Sequence, residues 1–206
     1  PAAEISFDDE RFRAEGSNLT PTMLEVAQMA RDKGRDDLLA HHERATLDAR
    51  SFPNGVHFCE VVIDPETGIV TTDRYTVVDD FGNLINPLLA MGQVHGGVVQ
   101  GIGQAVQERV VYDEDGQLLT ASFMDYAMPR AMDVPFISFT SEPVPSTANI
   151  MGMKGCGEAG TVGALAAVAN AVQDALWERG VRQADMPFTP HKVWELLNGD
   201  DAIAAE

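Results

Sequence analysis

The stretch KGCGEAGTVG, residues 154–163, decides how the second half of this chain folds. It places one carboxylate, Glu158, between glycines and shortly before a regular apolar pattern. The apolar residues recur at helical spacing, and they are Val162, Leu165, Ala169, Val172 and Leu176. The pattern predicts a helix over residues 161–178, with Thr161 as its N-cap.

The glycines around Glu158 indicate that a ligand approaches the backbone at this point. Glycine allows a close approach, and the free N–H groups at a helix start bind anions. Lys154, Glu158 and Gly160 are therefore interpreted as residues that do not serve core packing. Glu158 is a candidate general base that meets a bulky anionic cofactor. The alternative, from the residues alone, is that Glu158 caps the helix or complements its dipole.

A second segment, residues 92–107, predicts a helix with one polar face. That face carries Gln93, Gly97, Gln100, Gln104 and Gln107. Five glycines lie between residues 92 and 105, and each costs a helix about 1 kcal/mol relative to alanine. One interpretation is that a ligand lies against this face, because glutamine can donate and accept hydrogen bonds at a pterin or purine edge. The other is a glycine groove for close helix packing, with solvated glutamines.

The remaining patterns predict an α+β fold, in which antiparallel hairpins pack against a few helices. Two β-branched runs, residues 56–63 and 69–78, flank a Pro/Gly turn and predict a hairpin. Further hairpins are predicted at residues 5–14 and 109–120, and a strand at 136–142. One more helix is predicted from Thr20-Pro21 to Gly34, with Thr20 as its N-cap and Pro21 at the first helical position, and another over 190–197. Residues 1–50 are expected to form a helical and irregular segment, 51–198 the main segment and 199–206 a flexible tail.

Composition narrows the classes of function. The chain has 206 residues and a formal net charge of -18, which argues against nucleic acid and anionic membranes as partners. It contains no stretch of membrane-span length and no signal-peptide pattern. Cys59 and Cys156 lack a metal-binding or redox spacing, which favours a reducing, cytoplasmic compartment. The chain opens with Pro1 rather than methionine, so we expect a piece of a longer polypeptide.

Several short motifs occur in order between residue 50 and residue 197. They are FPNG (52–55), DPETG (64–68), NP (86–87), GQVHGG (92–97), QGIG (100–103), SFMDY (122–126) and KGCGE (154–158). The set resembles the C-terminal portion of the molybdenum-binding subunit of the molybdenum hydroxylases. This family comprises xanthine dehydrogenase, aldehyde oxidase and aerobic carbon monoxide dehydrogenase. The resemblance implies that the fold is part of the molybdopterin-binding domain of a larger subunit.

The resemblance also implies roles for individual residues. Glu158 matches the family's catalytic glutamate, which takes a proton from the water-derived oxygen that attacks an electron-poor carbon of the substrate. The metal is held by the dithiolene of molybdopterin, either in its plain form or as the cytosine dinucleotide, so no protein ligand to the metal is expected. The implied cofactor-binding residues are Gln93, Gly96, Gly97, Gln100, Lys154, Gly155, Cys156 and Gly157.

The partners implied by the resemblance lie outside this chain. They are the N-terminal part of the molybdenum subunit and the domains or subunits that carry 2Fe–2S clusters and FAD, in a heteromeric, dimerised assembly. The chain alone is not expected to turn over. A purine, an N-heterocycle, an aldehyde and carbon monoxide all stay open as substrates. Two alternatives also stay open: a non-catalytic scaffold or assembly module of the same ancestry, and a generic phosphate-binding module at the helix near Thr161.

Overall fold

The structure is a computed structural model that describes residues 4–42, 44, 46–47 and 49–199. The chain divides into two compact units, Pro1–Thr46 and Leu47–Glu206. The division predicted at residues 50 and 51 stays a prediction, and the predicted tail, apart from Gly199, lies outside the described residues. Within those ranges, no helix combines the length and the apolar character that a membrane crossing requires.

The first unit holds a hairpin and a helix. Strand β1 (Ile5–Asp8) pairs antiparallel with β2 (Arg11–Ala14), as predicted. Helix α1 (Met23–Asp32) begins at Met23 rather than at Pro21, because Thr22 and Glu25 form a capping box. The Glu25 N–H donates to Thr22 Oγ1 at 3.3 Å, and the Thr22 N–H donates to the Glu25 carboxylate at 2.8 Å. The predicted N-cap at Thr20 is therefore wrong. A short 3-10 helix (Asp36–Leu38) follows.

The second unit is built on a three-stranded sheet. Its strands are β3 (Asn54–Ile63), β4 (Val70–Asp80) and β5 (Ile137–Ser141), in the order β3-β4-β5. The predicted hairpin of β3 and β4 is confirmed, since these strands pair antiparallel. Strand β5 pairs parallel to β4, which the hairpin pattern did not predict. The hairpin predicted at 109–120 forms in a minimal version, without regular strands. The Gly116 N–H donates to the Asp113 carbonyl at 3.1 Å in the turn, and an isolated antiparallel bridge joins Tyr112 to Leu118.

Three helices complete the second unit: α2 (Pro87–Val106), α3 (Ala159–Trp177) and α4 (Pro190–Asn198). Helix α2 begins well before the predicted Gly92, since Asn86 is its N-cap and accepts the Leu89 N–H at 3.2 Å. Helix α3 begins at Ala159, so the predicted N-cap at Thr161 is wrong. The α4 prediction is confirmed.

Helices α2 and α3 pack backbone against backbone. A Cβ on Gly97 would lie 2.8 Å from the Thr161 nitrogen, and a Cβ on Gly160 would lie 2.5 Å from the Val94 carbonyl oxygen. Backbone atoms in a close-packed interior cannot absorb such contacts without the helices moving apart. The interpretation of Gly160 as a residue outside core packing is therefore wrong, and the glycine-groove interpretation accounts for the missing side chain at Gly97.

The buried stripe of α3 also differs from the predicted one. Val162 is 69% exposed, whereas Ala164, Val168, Val172 and Leu176 are fully buried. Because Gly160 contacts α2 so closely, Gly160 and every fourth residue after it form the buried face of α3. The core of the second unit then forms between α2, α3 and the sheet, and its largest buried side chains are Tyr75, Phe81, Phe188, Ile102 and Leu176. The α+β class is confirmed.

Candidate functional site

A cleft of about 460 Å³ lies where the start of β3, the end of β4 and the start of α3 meet. The residues that line it are Pro53, Asn54, Gly55, His57, Asp79, Gly155, Gly157, Glu158, Ala159, Val162 and Gly163. The predicted candidate base, Glu158, is among them, together with two of the predicted glycines. The cleft therefore brings the centre of the KGCGE motif next to the ends of two strands.

Glu158 stands at the N-cap position of α3, but its carboxylate does not cap the helix. Its backbone carbonyl accepts the Val162 N–H at 3.0 Å and so starts the helix. Its side chain makes no capping hydrogen bond. The side chain of Glu158 therefore does not cap α3, and the residue lines the cleft.

The glycine-rich loop before α3 leaves open space at its backbone. A Cβ added to Gly155 or to Gly157 would find no heavy atom within 4 Å. The loop is held at both ends: the Lys154 N–H donates to the Phe81 carbonyl at 2.8 Å, and Gln93 Nε2 donates to the Gly157 carbonyl at 2.7 Å. The Gln93 side chain thus ties α2 to the residue immediately before Glu158. Its amide keeps a second N–H and an oxygen with which to meet a ligand.

The Lys154 ammonium is engaged within the protein. It forms an ion pair with Asp80, and both side chains are largely buried, at 10% and 13% exposure. The Asp80 carboxylate also accepts the Gly82 N–H at 2.8 Å and the Val144 N–H at 2.9 Å. The hydrogen bond from Lys154, with these backbone donors, lowers the pKa of Asp80 to about 2. Lys154 does not line the cleft, and its charge holds the loop to the end of β4.

The other predicted site residues lie outside the cleft lining. Gly96 faces open space, since an added Cβ would meet nothing within 4 Å, whereas Gly97 is buried against α3. The Gln100 amide oxygen accepts the Thr161 hydroxyl at 3.2 Å. The Cys156 side chain packs against the hydrophobic core, although its backbone lies between the two open glycines. The structure therefore brings together Gln93, the loop glycines and Glu158, but not the whole predicted set.

Sequence reasoning missed a buried His–Asp pair in the same cleft. His57 Nε2 lies 3.7 Å from Asp79 Oδ1, and His57 Nδ1 lies 2.9 Å from the Tyr75 hydroxyl. Burial raises the pKa of Tyr75 above its usual range, with smaller contributions from Cys59 and Asp79. The signal was present in the two-residue alternation of β3 and β4, which puts His57, Tyr75 and Asp79 on the inward face. A polar residue at such a position indicates a buried site rather than a solvated strand end.

Protein ligands for a metal were not predicted, and the described part of the chain contains no group of three or more His, Cys, Asp or Glu residues that could hold a metal ion. What the cleft offers is open backbone at Gly155 and Gly157 next to Glu158 in the chain. Glycines so placed accept a bulky group against the main chain. The donor set suits a ligand held through backbone and amide hydrogen bonds.

Comparisons with known proteins identify a family of cofactor-binding domains. The family described as the molybdopterin cofactor-binding domain matches residues 1–135. The gamma subunit of the 6-hydroxypseudooxynicotine dehydrogenase complex of Paenarthrobacter nicotinovorans is 36% identical over 194 residues, which are 91% of this chain and 24% of that protein. The nicotine 6-hydroxylase large subunit of the same organism is 44% identical over 149 residues, which are 72% of this chain and 18% of that protein.

A solved structure shares the fold as well. The crystal structure of the Cu,Mo-CO dehydrogenase in its carbon monoxide reduced state matches with a TM-score of 0.80 and 32% identity, over 96% of this chain and 25% of that one. The family match ends before Glu158, whereas this structural match covers nearly the whole chain. The chain spans about a quarter or less of the length of these relatives. On this evidence, the chain belongs to the molybdopterin cofactor-binding domain family, as the resemblance of its motifs implied.

Proposed function

We propose that this chain is the cofactor-binding and catalytic segment of a molybdenum hydroxylase, in which Glu158 is the general base. The observation that carries the proposal is the position of Glu158: the residue lines a cleft beside two open glycines, and its side chain does not cap its own helix. A general base needs this freedom, because it must reach the proton that it abstracts within about 3 Å.

The residues around the cleft fit molybdopterin. Gly155 and Gly157 let the cofactor approach the main chain, the Cys156 backbone lies between them, and Gln93 holds the loop in place. Gly96, which is open on α2, is a further contact in this proposal. When bound, molybdopterin would supply the two-electron redox chemistry of the hydroxylation. The proposal covers the plain form and the cytosine dinucleotide form, which the mass of the extracted pterin distinguishes.

Glu158 takes a proton from the water-derived oxygen that attacks an electron-poor carbon of the substrate. The carboxylate becomes a carboxylic acid in this step, and it must lose the proton again before the next turnover. The names of two relatives state that they act on nicotine or a nicotine derivative, and the name of the matched structure states carbon monoxide. We therefore include N-heterocycles and carbon monoxide as candidate substrates, with purines and aldehydes as further classes.

The rest of the enzyme is expected outside this chain. The relatives are about four times as long or longer, and their names describe a gamma subunit or a large subunit. We propose that the remainder of the molybdenum subunit, an iron–sulfur partner and a flavin partner complete a dimerised complex. A cytoplasmic location belongs to the proposal and is supported by the free thiols of Cys59 and Cys156.

The test is Glu158→Gln in the complete subunit within its native complex. Hypoxanthine, nicotine, benzaldehyde and carbon monoxide serve as a substrate panel, and the member with the fastest turnover is used. Turnover is expected to fall by about 10²–10⁴-fold, since this is the contribution of a positioned general base. Glu178→Gln is the matched control, because it makes the same change at the opposite end of α3.

Molybdenum and pterin contents are measured in both variants. If Glu158→Gln loses turnover but keeps its molybdenum and pterin, Glu158 acts in the reaction itself rather than in cofactor binding. Near-normal turnover of Glu158→Gln would refute the proposed role. A native complex that holds no molybdenum would instead favour the scaffold alternative.

A further inference from the structure

The His57–Asp79 pair is not used by the reaction proposed above. The two side chains are only 6% and 2% exposed, although they line the cleft that contains Glu158. Asp79 Oδ2 is buried without a hydrogen-bond partner in the described part of the chain. A buried carboxylate with an unpaired oxygen is costly, because it loses its hydration and gains little in return. The structure therefore contains a polar pair whose presence needs a reason.

Two glycines make room for this pair. A Cβ on Gly55 would lie 1.8 Å from Asp79 Oδ1, and a Cβ on Gly163 would lie 2.5 Å from the His57 ring. Gly163 is inside α3, where glycine costs about 1 kcal/mol relative to alanine. Buried ion pairs are often no more stabilising than the apolar residues that could replace them. Stability alone therefore does not explain the pair, and a role in the cleft does.

The charges around the cleft suggest what that role is. Among the described residues that line it, the ionisable groups are His57, Asp79 and Glu158. The groups that face His57 are Tyr75 and Asp79 from β4, and Glu158 stands at the start of α3. Imidazole is the side chain that most readily gains and loses a proton near neutral pH. The same cleft is thus lined by a candidate base and by a group that can take the proton from that base.

We propose that His57 accepts the proton that Glu158 abstracts and releases it to solvent, while Asp79 holds the resulting imidazolium. This inference rests on the function proposed above. In the step, the Glu158 carboxylic acid loses its proton through cleft water to neutral His57, and the carboxylate is restored. His57 becomes an imidazolium beside Asp79 and then returns to the neutral form by giving the proton to bulk water. No electrons move, and His57 is not required to contact substrate or cofactor.

The experiment separates the first turnover from the later ones. His57→Gln is made in the complete subunit within its native complex, with His191→Gln as the matched control on an exposed part of α4. The substrate, which reduces the enzyme, is the compound that the native complex turns over fastest among hypoxanthine, nicotine, benzaldehyde and carbon monoxide. Stopped-flow absorbance records the first turnover, and steady-state assays record the rest. Molybdenum and pterin contents are measured in parallel, because they report cofactor binding independently of activity.

His57→Gln is expected to keep the first turnover, since in the proposed step Glu158 passes a proton on only after that turnover. Steady-state turnover is expected to fall at least about tenfold, because proton transfer by a positioned side chain contributes about 10²–10⁴-fold and cleft water replaces part of it. Added imidazole should restore the steady-state rate of His57→Ala. Failure of the base role of Glu158 is distinguishable, because Glu158→Gln is expected to lose the first turnover as well.

Three outcomes would overturn the proposal. The first is a steady-state rate of His57→Gln equal to that of His191→Gln. The second is an equal loss of first and later turnovers in His57→Gln, together with a steady-state rate of His57→Ala that added imidazole does not restore. The third is loss of cofactor from both His57→Gln and the isosteric Asp79→Asn, because the pair would then be structural. With cofactor retained, Asp79→Asn is expected to slow only the later turnovers.

Discussion

Two adjacent glycines of α2 have opposite surroundings, so alanine at each position should have opposite effects. A Cβ on Gly96 would meet nothing within 4 Å, whereas a Cβ on Gly97 would lie 2.8 Å from the Thr161 nitrogen and 3.0 Å from Gly160 Cα. Alanine gains about 1 kcal/mol of helix propensity at either position. Overpacking costs about 1–3 kcal/mol. A clash between two backbones belongs at the upper end of this range, because backbone atoms cannot move to another rotamer as a side chain can.

The expected free energies follow from these two contributions. Gly96→Ala should raise the free energy of local unfolding of α2 by about 1 kcal/mol, and Gly97→Ala should lower it by about 2 kcal/mol. Since 1.4 kcal/mol corresponds to a factor of ten, amide exchange in α2 and α3 should become about 5-fold slower in the first variant and about 30-fold faster in the second.

Hydrogen exchange followed by mass spectrometry measures this difference on peptides from α2 and α3 in the native complex. The cofactor-free complex is used, so that contacts of Gly96 with a ligand do not contribute. Equal exchange in the two variants, or slower exchange in Gly97→Ala than in the wild type, would show that α2 and α3 do not pack closely at Gly97. In the loaded complex, Gly96→Ala should additionally lower the pterin content, because it fills the open space proposed for the cofactor.

Three further predictions concern other parts of the chain. The pKa of Asp80 is lowered to about 2, so its pairing with Lys154 stabilises the fold above about pH 4, and this stability is lost as the pH falls toward 2. In an acid titration followed by circular dichroism, Asp80→Asn should therefore lose less stability over this pH range than the wild type. Equal losses of stability in the two proteins would contradict the pairing. Burial raises the pKa of Cys59 to about 11, so iodoacetamide should label it slowly at pH 8 and faster only as the pH approaches that value, whereas prompt labelling in peptide mass spectra would contradict the burial. Thr22→Ala removes the capping box and should destabilise α1 by about 1 kcal/mol, which exchange at the Glu25 amide reports; unchanged protection would show that the cap contributes nothing.

The sequence predicted best the features that depend on neighbouring residues. The hairpin of β3 and β4 follows from two β-branched runs and a Pro/Gly turn, and α4 follows from Pro190 and the pattern after it. Helix starts were predicted less well, because several residues near each start can cap. Thr22 and Glu25 cap α1 reciprocally, and Asn86 captures the first turn of α2, so both displaced the predicted starts.

Features that depend on distant parts of the chain were not predicted. Strand β5 joins β4 in parallel across a long connection, and no local pattern encodes that pairing. The contact of Gly97 with Gly160 needs two helices to meet. The sequence therefore left open whether the polar face of residues 92–107 meets a ligand or forms a glycine groove. In the candidate site, Glu158 was predicted from the glycines that surround it in the sequence. His57 and Asp79 were not predicted, because they lie on two different strands and come together only in the fold.

The proposed cofactor site is tested most directly by a structure of the native complex with its cofactor bound. We expect the pterin to lie against the backbone of Gly155 and Gly157, with the Glu158 carboxylate within hydrogen-bonding reach of the reacting oxygen. A cofactor on another face of α3, with Glu158 directed into bulk water, would contradict the role proposed for Glu158.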